Sequence, residues 1–597
     1  KGEIAVRGVR LGVLSAVLAA ACGGGGGVSG SVFASGWQSD AGESIARVEQ
    51  KLRGAPRPPD VAVVVGVTPD GLVGSTLPSG SVWRRAGVVD AVPSVAPDGV
   101  VMATGGGRAF ALDGKSGQPL WSVSVAPFVL RGAADDGHYS VLSLGKPRLS
   151  QSRLMVVDRS GRVLVDTASD TELGRPAIRA GVAFVPWGGQ YVSAIDVTTG
   201  SEIGRLLTRE LPSHALDIQG NLYFGQYALV RLDPHIKYAE SFQATHYTFK
   251  PRELPGNPVW LGNGLDLPLV DTTARAKIRL FAAPTSDDKG ITIAGNSYAG
   301  TYFRALYGFA LSDGHLLWAD ALAADAVGGG PAASGFVFCD ETGKVHLYAN
   351  DGGTGAVADL GQKLVACAVG ASALRVEGGV SRGSLAQQIE ESFRRFDPDM
   401  ASAEALLIKE LGKLDDAEVT RILIEFAEDA RIPPAQRESA RKLLAKRKNG
   451  SEFMLAALEH HYDFVTGDQA PPVGPLADAL AGLHDARASG PLARHLNDPA
   501  NSIDDVVRAA RALEVLATSA EARDLATFFA LYRATADDPA LVDAVLSVAS
   551  ALVRVGGSDG RALVERASAD PFTQPDVGRG LAKLVAPKPA AAAAVKP

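Results

Sequence analysis

Two different spacings of apolar residues divide this chain. From residue 60 to residue 378, short apolar runs such as "DVAVVVGV", "SRLMVVD" and "GFVFCD" alternate with turn-forming Gly, Pro, Asn and Asp. Strands at this spacing predict an all-β sandwich, barrel or propeller. From residue 380 to residue 586, apolar positions recur every three or four residues, which is typical of amphipathic helices. The pattern therefore predicts a multidomain β + α protein.

The helical half contains clear amphipathic segments. One of them, "DDAEVTRILIEFAEDA", places four apolar residues on one face and its charges on the other: Val419, Ile422, Leu423 and Phe426. Asp–Pro turns begin at residues 498, 538 and 570, an interval typical of paired-helix solenoids. This segment resembles HEAT-like repeats, and an irregular helical bundle remains the alternative.

A phrase recurs through the β half. "AFALDGKSGQPLW" at 109–121 matches "YGFALSDGHLLW" at 307–318, and "SAIDVTTGSEIG", "LMVVDRSGRVLV" and "STLPSGSVW" are partial copies. The spacing predicts a β-propeller of about seven blades, with six to eight allowed. The residues that define the phrase are Asp113, Gly117, Trp121, Asp158, Gly161, Asp196, Gly200, Gly80, Trp83, Gly314 and Trp318.

Each residue type in the phrase has a structural role. The Asp accepts hydrogen bonds from turn amides, the Gly adopts a positive φ, and the Trp packs between neighbouring blades. The phrase resembles the PQQ-type repeat of β-propellers over roughly residues 60–375, and BamB-like outer-membrane assembly lipoproteins carry such a propeller. The resemblance implies a scaffold that holds protein partners in the cell envelope. The helical C-terminal half departs from that family.

The N-terminus predicts export. Arg7 and Arg10 precede an apolar run that ends immediately before Cys22, which is the layout of a secretory signal peptide. The small residues before Cys22 resemble a bacterial lipobox, which implies a lipid anchor on Cys22. A plain signal peptide with an incidental cysteine is the alternative. We expect residues 1–22 to be the signal and anchor, 23–59 a Gly-rich tether with a short helix, and 587–597 a disordered tail.

The charge and cysteine content bear on the partners and on the compartment of the protein. The 59 basic and 66 acidic residues give a net charge of −7, so the chain has no global attraction to nucleic acid. The resemblance and the predicted anchor imply that the partners are envelope proteins and the outer membrane, at its periplasmic or outer surface. Apart from Cys22, the chain contains Cys339 and Cys367, and an exported protein either pairs them or buries them as thiols.

The sequence predicts no catalytic residue, metal site or cofactor. Quinoprotein dehydrogenases share the PQQ-type repeat, but they place adjacent cysteines against the quinone, and this chain has no Cys–Cys pair. His460 and His461 are neighbours that would point about 100° apart on a helix, so a solvated helix face is favoured over a zinc site. The predicted function is a non-enzymatic, lipid-anchored scaffold. The alternatives are a PQQ-dependent quinoprotein dehydrogenase and a glycan-binding surface lipoprotein.

Overall fold

A computed structural model describes most of the β half and nearly all of the helical half. The described residues are 32–33, 48, 50–52, 55–56, 59–147, 149–188, 191–207, 214–218, 221–225, 230–232, 259–260, 292–294, 297–310, 315–355, 358–371, 374–376, 379–396, 400–462 and 470–586. The predicted signal segment with Cys22, the predicted tail and Gly314 lie outside them.

The β half begins with three strands and continues through four-stranded antiparallel sheets. The first strands are β1 (Val63–Thr68), β2 (Gly71–Thr76) and β3 (Trp83–Ala86). The next sheet contains β4 (Ser94–Val95), β5 (Val100–Gly105), β6 (Arg108–Asp113) and β7 (Pro119–Ser124). Another contains β8 (Val129–Asp135), β9 (Tyr139–Gly145), β10 (Ser152–Asp158) and β11 (Val163–Ser169). It is followed by β12 (Ala177–Arg179), β13 (Val182–Trp187), β14 (Tyr191–Asp196) and β15 (Glu202–Leu207).

The remaining strands form a three-stranded sheet, a five-stranded sheet and the end of the β half. The three-stranded sheet contains β16 (His214–Ile218), β17 (Asn221–Gly225) and β18 (Val230–Leu232). The five-stranded sheet contains β19 (Val259–Trp260), β20 (Thr292–Ala294), β21 (Ser297–Tyr302), β22 (Ala305–Ala310) and β23 (Leu316–Ala321). The last strands are β24 (Ala326–Ala332), β25 (Gly335–Asp340), β26 (Lys344–Ala349), β27 (Ala358–Asp359) and β28 (Ala366–Gly370).

The last strand of the β half joins the first. Strand β28 pairs antiparallel with β1, from Val63 opposite Gly370 to Val67 opposite Ala366. On its other side, β28 pairs in parallel with β24 at two positions. The result is one eight-stranded sheet in the order β27-β26-β25-β24-β28-β1-β2-β3. Consecutive antiparallel sheets with such a closing strand form a propeller-like arrangement.

Strand β1 shows why its sequence is an unbroken apolar run. Val63 and Val65 pack in a cluster with Val101 of the following sheet. Val64 faces the other way and packs in a cluster with Val337 of β25. Because both faces of β1 are covered, both alternating sets of side chains are apolar. The continuous "VVV" run therefore marks a strand that is buried on both faces.

Part of the segment before β1 also packs on the β half. The ring of Phe33 meets Trp187 edge-on at a centroid distance of 5.7 Å. Residues 48 and 50–52 are helical, and Val48 lies in an apolar cluster with Phe184. Lys51 forms an ion pair with Asp196. The described part of the predicted tether and short helix therefore covers the sheet β12–β15.

The helical half follows the strands, and the predicted succession of a β-rich region and a helical region is confirmed. Its first helices are α1 (Leu385–Phe393), α2 (Ala401–Leu411), α3 (Ala417–Glu428), α4 (Pro434–Leu444), α5 (Ser451–Leu458) and α6 (Val473–Gly482). The later ones are α7 (Ser489–Leu496), α8 (Ile503–Leu516), α9 (Ala522–Tyr532), α10 (Pro539–Val555), α11 (Gly557–Ala569) and α12 (Pro575–Val585). Among the described helices, none combines the length and apolar character needed to cross a bilayer.

Short polar residues cap the N-termini of several of these helices. Asp416 caps α3 by accepting the amide hydrogen of Glu418 at 3.0 Å, and Ser502 caps α8 through the amide of Asp505. Asp538 caps α10, whose first residue is a proline. Such caps satisfy amides that have no partner within the helix. The Asp–Pro signal at residue 538 is therefore a helix start.

The helical half shares its core with the β half. Tyr307 and Phe309 of β22 belong to the same apolar cluster as Ile389 of α1. Polar contacts secure this junction, since Arg382 lies 2.9 Å from the Asp320 carboxylate and donates to the carbonyl of Ala319 at 2.9 Å. A buried interface of this kind opposes hinge motion between the two regions.

Candidate functional site

The Asp and Gly residues of the repeated phrase build tight turns. Asp113 Oδ1 accepts hydrogen bonds from the amides of Lys115 and Ser116, at 3.0 and 2.8 Å. Gly117 closes this turn with a φ of 71°, in the left-handed region that glycine occupies most readily. Asp113 Oδ1 and the backbone of Gly117 form the turn itself, so Asp113 and Gly117 have a structural role.

Two further copies use the same geometry. Asp158 Oδ1 accepts from the amide of Ser160 at 2.9 Å, and Asp196 Oδ1 accepts from the amide of Thr198 at 3.0 Å. Gly161 and Gly200 follow with φ values of 84° and 70°. Gly80 departs from the pattern because its φ is not positive. Its amide donates to the carbonyl of Thr76 at 2.8 Å.

Each phrase tryptophan packs on the turn glycine of a later sheet. A methyl group on Gly117 would lie 2.7 Å from ring atoms of Trp83, and one on Gly161 would lie 3.3 Å from Trp121 Cβ. The same relation holds for Gly352, where the added atom would lie 2.4 Å from Trp318. The contact therefore links consecutive sheets, and this pairing is a feature that the sequence did not reveal.

Hydrogen bonds from the tryptophan rings add to these contacts between sheets, and a valine replaces the tryptophan in one copy. Trp83 Nε1 donates to the carbonyl of Gly114 at 2.8 Å, in the next sheet's turn, and Trp121 Nε1 donates to Ser140 Oγ at 3.1 Å. In the copy "LMVVDRSGRVLV", valine stands in place of the tryptophan, and this Val165 lies against Gly200. Among the described residues, the Asp and Gly residues of the phrase thus lie in separate turns and form no common site.

The two cysteines of the β half form a disulfide. Cys339 lies in β25 and Cys367 in β28, with Cα atoms 6.3 Å apart. Both are buried in one apolar cluster with Val64. The bond therefore ties β28, the strand that closes the β half, to β25 of the same eight-stranded sheet.

A groove with an aromatic floor lies between α1, α2 and α3. Its volume is about 930 Å³. Phe393 forms the centre of the floor, with ring centroids 4.3 Å from Phe426 and 5.5 Å from Phe396. Five acidic residues and two arginines line the walls: Glu390, Glu404, Glu425, Glu428, Asp429, Arg394 and Arg431. The groove is therefore apolar at its base and acidic at its walls.

The acidic residues of the groove differ in their ion pairs. Arg421 lies 2.7 Å from Glu390 and also pairs with Glu425, and Arg431 lies 2.7 Å from Asp429. Burial, and then the nearby charge of Glu425, raise the pKa of Glu428 to about 7. Burial disfavours a carboxylate because it loses its hydration. Glu428 therefore changes charge near neutral pH.

Replacing Glu428 with Gln is expected to stabilise the protein at pH 8 and to leave it nearly unchanged at pH 4. Between pH 4.5 and about 7, an unfolded Glu428 releases the proton that the folded state retains. Stability therefore falls as pH rises through this window, and Glu428→Gln removes that loss. Partial exposure screens the effect, so we expect about 1 kcal/mol.

Thermal melts from pH 4 to pH 8 measure this difference. Glu391→Gln makes the same substitution at an exposed position of α1, is the matched control, and should not reproduce the gain at pH 8. An equal gain for Glu428→Gln at pH 4 and pH 8 would show that the raised pKa of Glu428 is not the cause.

A second cluster joins residues that lie far apart in sequence. Within the part of the chain that the structure describes, His461, His495 and Asp498 place potential ligand atoms within 4.8 Å of one another. His461 Nδ1 is 3.0 Å from Asp498 Oδ2, and His495 Nδ1 is 4.0 Å from the same oxygen. His460 and His461 are exposed, as predicted, but they follow α5, which ends at Leu458, and so do not lie on a helix face.

The structure orients His495 firmly. Its side chain is buried, and Nε2 lies 3.0 Å from the carbonyl of Leu458. Because a carbonyl only accepts hydrogen bonds, Nε2 carries the proton and Nδ1 presents a lone pair. Burial lowers the pKa of His495, which favours this neutral form.

No protein-family model matches the sequence, and no curated protein matches it. The chain is similar to BamB from Moraxella catarrhalis at 15% identity and a TM-score of 0.28, over 53% of this chain and 87% of that one. It is similar to the computationally designed Ika8 protein at 12% and 0.32, over 47% and 90%. Hsv2 from Kluyveromyces lactis gives 10% and 0.27, over 44% and 73%. Likenesses at this level carry no argument for a family or an activity.

Proposed function

We propose that this chain is a non-enzymatic scaffold of the cell envelope that binds a basic segment of a protein partner. The observation that carries the proposal is the groove between α1, α2 and α3. Its aromatic floor accommodates the aliphatic stem of a lysine or arginine, and its carboxylates pair with the charged end. The excess of acidic over basic residues in its walls supports a cationic partner.

The junction between the two regions supports a scaffold. Phe393, in the groove, belongs to α1, and the same helix packs on β23, where Gln388 Oε1 accepts from the amide of Ala319 at 3.3 Å. A partner in the groove is therefore held at a set position relative to the β half. In this proposal the β half is a propeller of about seven PQQ-type blades. The helices are HEAT-like repeats, and a lipid on Cys22 anchors the chain to the outer membrane.

The test is affinity purification of the full-length protein from the native envelope, with partners identified by mass. Purified partner is then titrated against Glu428→Lys, with Glu438→Lys as the control because it makes the same charge change at an exposed site of α4. We expect Glu428→Lys to weaken binding about tenfold, which is a typical effect of reversing one charge at a paired site. The control should leave it unchanged.

A second variant, Phe396→Ala, tests the floor of the groove and should also weaken binding while the circular dichroism spectrum stays native. Equal affinity for all variants, or no partner above background, would contradict the proposal. Dye reduction after reconstitution with PQQ and Ca²⁺ would instead favour the quinoprotein dehydrogenase. Retention on glycans without a protein partner would favour the glycan-binding lipoprotein.

A further inference from the structure

We propose that His461, His495 and Asp498 bind a divalent transition-metal ion of the Zn²⁺ class. The three residues come from the segment after α5, from the last turn of α7 and from the segment after α7. A bound ion would tie these segments together across more than 30 residues of chain.

The donor set selects the class of ion. Two imidazole nitrogens and one carboxylate suit Zn²⁺ and its neighbours in the first transition series. Ca²⁺ and Mg²⁺ prefer oxygen ligands, and two histidines supply none. The site therefore discriminates against the hard divalent cations of the envelope.

The distances are close to those of a metal site. Ligand atoms at about 2.0 Å from a tetrahedral Zn²⁺ lie about 3.3 Å from each other. The separations of 3.0 Å for His461 and 4.0 Å for His495, each to Asp498 Oδ2, bracket that value. The imidazole rings of His461 and His495 are 4.4 Å apart and tilted by 30°. The side chain of His461 is 40% exposed, so its ring is able to turn toward the ion.

Hydrogen bonds to neighbouring backbone groups orient two of the three ligands, His495 and Asp498. His495 donates from Nε2 to the carbonyl of Leu458, the contact that metal-bound histidines commonly make with their second nitrogen. Asp498 Oδ1 accepts from the amide of Ala500 at 2.9 Å, which leaves Oδ2 directed at the histidines. Asn501 Nδ2 lies 3.3 Å from His495 Nδ1, but its shorter bond, 2.7 Å, goes to the carbonyl of His495.

Three protein ligands leave a coordination position for water. The exposed side of the site, at His461, is where that water would lie. The ion would thus link successive helices and keep one coordination position open to solvent. This role is independent of the partner groove, which lies in α1 to α3.

The experiment titrates untagged, EDTA-treated full-length protein with Zn²⁺ alone by calorimetry, and with Co²⁺ alone by visible absorption. We expect one equivalent to bind with a Kd in the micromolar range or below. His461→Ala should weaken this binding at least tenfold, and His460→Ala, the adjacent exposed histidine outside the cluster, should leave it unchanged.

Asp498→Asn gives a second ligand test that avoids the buried His495 and should also weaken Zn²⁺ at least tenfold. Zn²⁺ should raise the melting temperature of the wild type and of His460→Ala, but not that of His461→Ala. Absence of saturable binding, or an equal loss in His460→Ala and His461→Ala, would overturn the proposal and leave a simple hydrogen bond between His461 and Asp498.

Discussion

The double variant Cys339→Ala/Cys367→Ala is expected to lose about 2 to 4 kcal/mol of unfolding free energy, the usual contribution of a disulfide that closes a loop of this size. The bond spans 28 residues and joins β25 to β28. Because β28 pairs with β1, the bond restrains the strand that holds the two ends of the β half together. Alanine is chosen because both positions are buried in an apolar cluster.

Denaturant titrations with and without a thiol reductant measure this effect. Reductant should lower the midpoint of the wild type to a value near that of the double variant, and the variant itself should not respond. If the wild-type denaturation midpoint is the same with and without reductant, the disulfide contributes little to stability.

The variant Gly117→Ala is expected to lose about 3 kcal/mol or more, from a left-handed backbone and from overpacking. Its added methyl group would lie 2.7 Å from ring atoms of Trp83, which is buried and donates to the carbonyl of Gly114. Gly106→Ala is the matched control, since its φ is also positive, at 59°, and an added methyl group meets nothing within 4 Å. The control should cost about 1 kcal/mol, from the backbone alone.

A double-mutant cycle sharpens this comparison. With Trp83→Ala in place, the ring is gone, and Gly117→Ala should cost little more than Gly106→Ala does in the wild type. The two substitutions are then non-additive, as expected for residues in contact. Equal costs for Gly117→Ala and Gly106→Ala in the wild type would mean that the contact with Trp83 does not limit stability.

Local chemistry was readable from the sequence, whereas contacts between repeats were not. The apolar face predicted from Val419, Ile422, Leu423 and Phe426 is buried in the helical core. Asp113 and Asp196 make the turn hydrogen bonds expected of them. The partner of Trp121 was not predictable, because Gly161 lies 40 residues further on and only the packing of consecutive sheets brings it near.

The candidate sites were missed for the same reason. Neighbouring positions on one helix point apart, but the histidine that approaches His461 is His495, which lies in α7, beyond α6. The groove likewise draws its residues from α1, α2 and α3, and each carboxylate alone has the pattern of a solvated helix face. Recurrence of His and Asp near the ends of neighbouring helical pairs was the one available signal.

The pairing of β28 with β1 also determines when the β half is able to fold during synthesis. Val63 and its neighbours in β1 need partners in residues 366–370, so the first strand emerges roughly 300 residues before the strand that completes its sheet. Contacts so distant in sequence carry a large loop-closure cost and form slowly. An N-terminal fragment that ends before Ala366 therefore exposes an edge of β1, and the growing chain depends on protection of that edge until its synthesis passes Gly370.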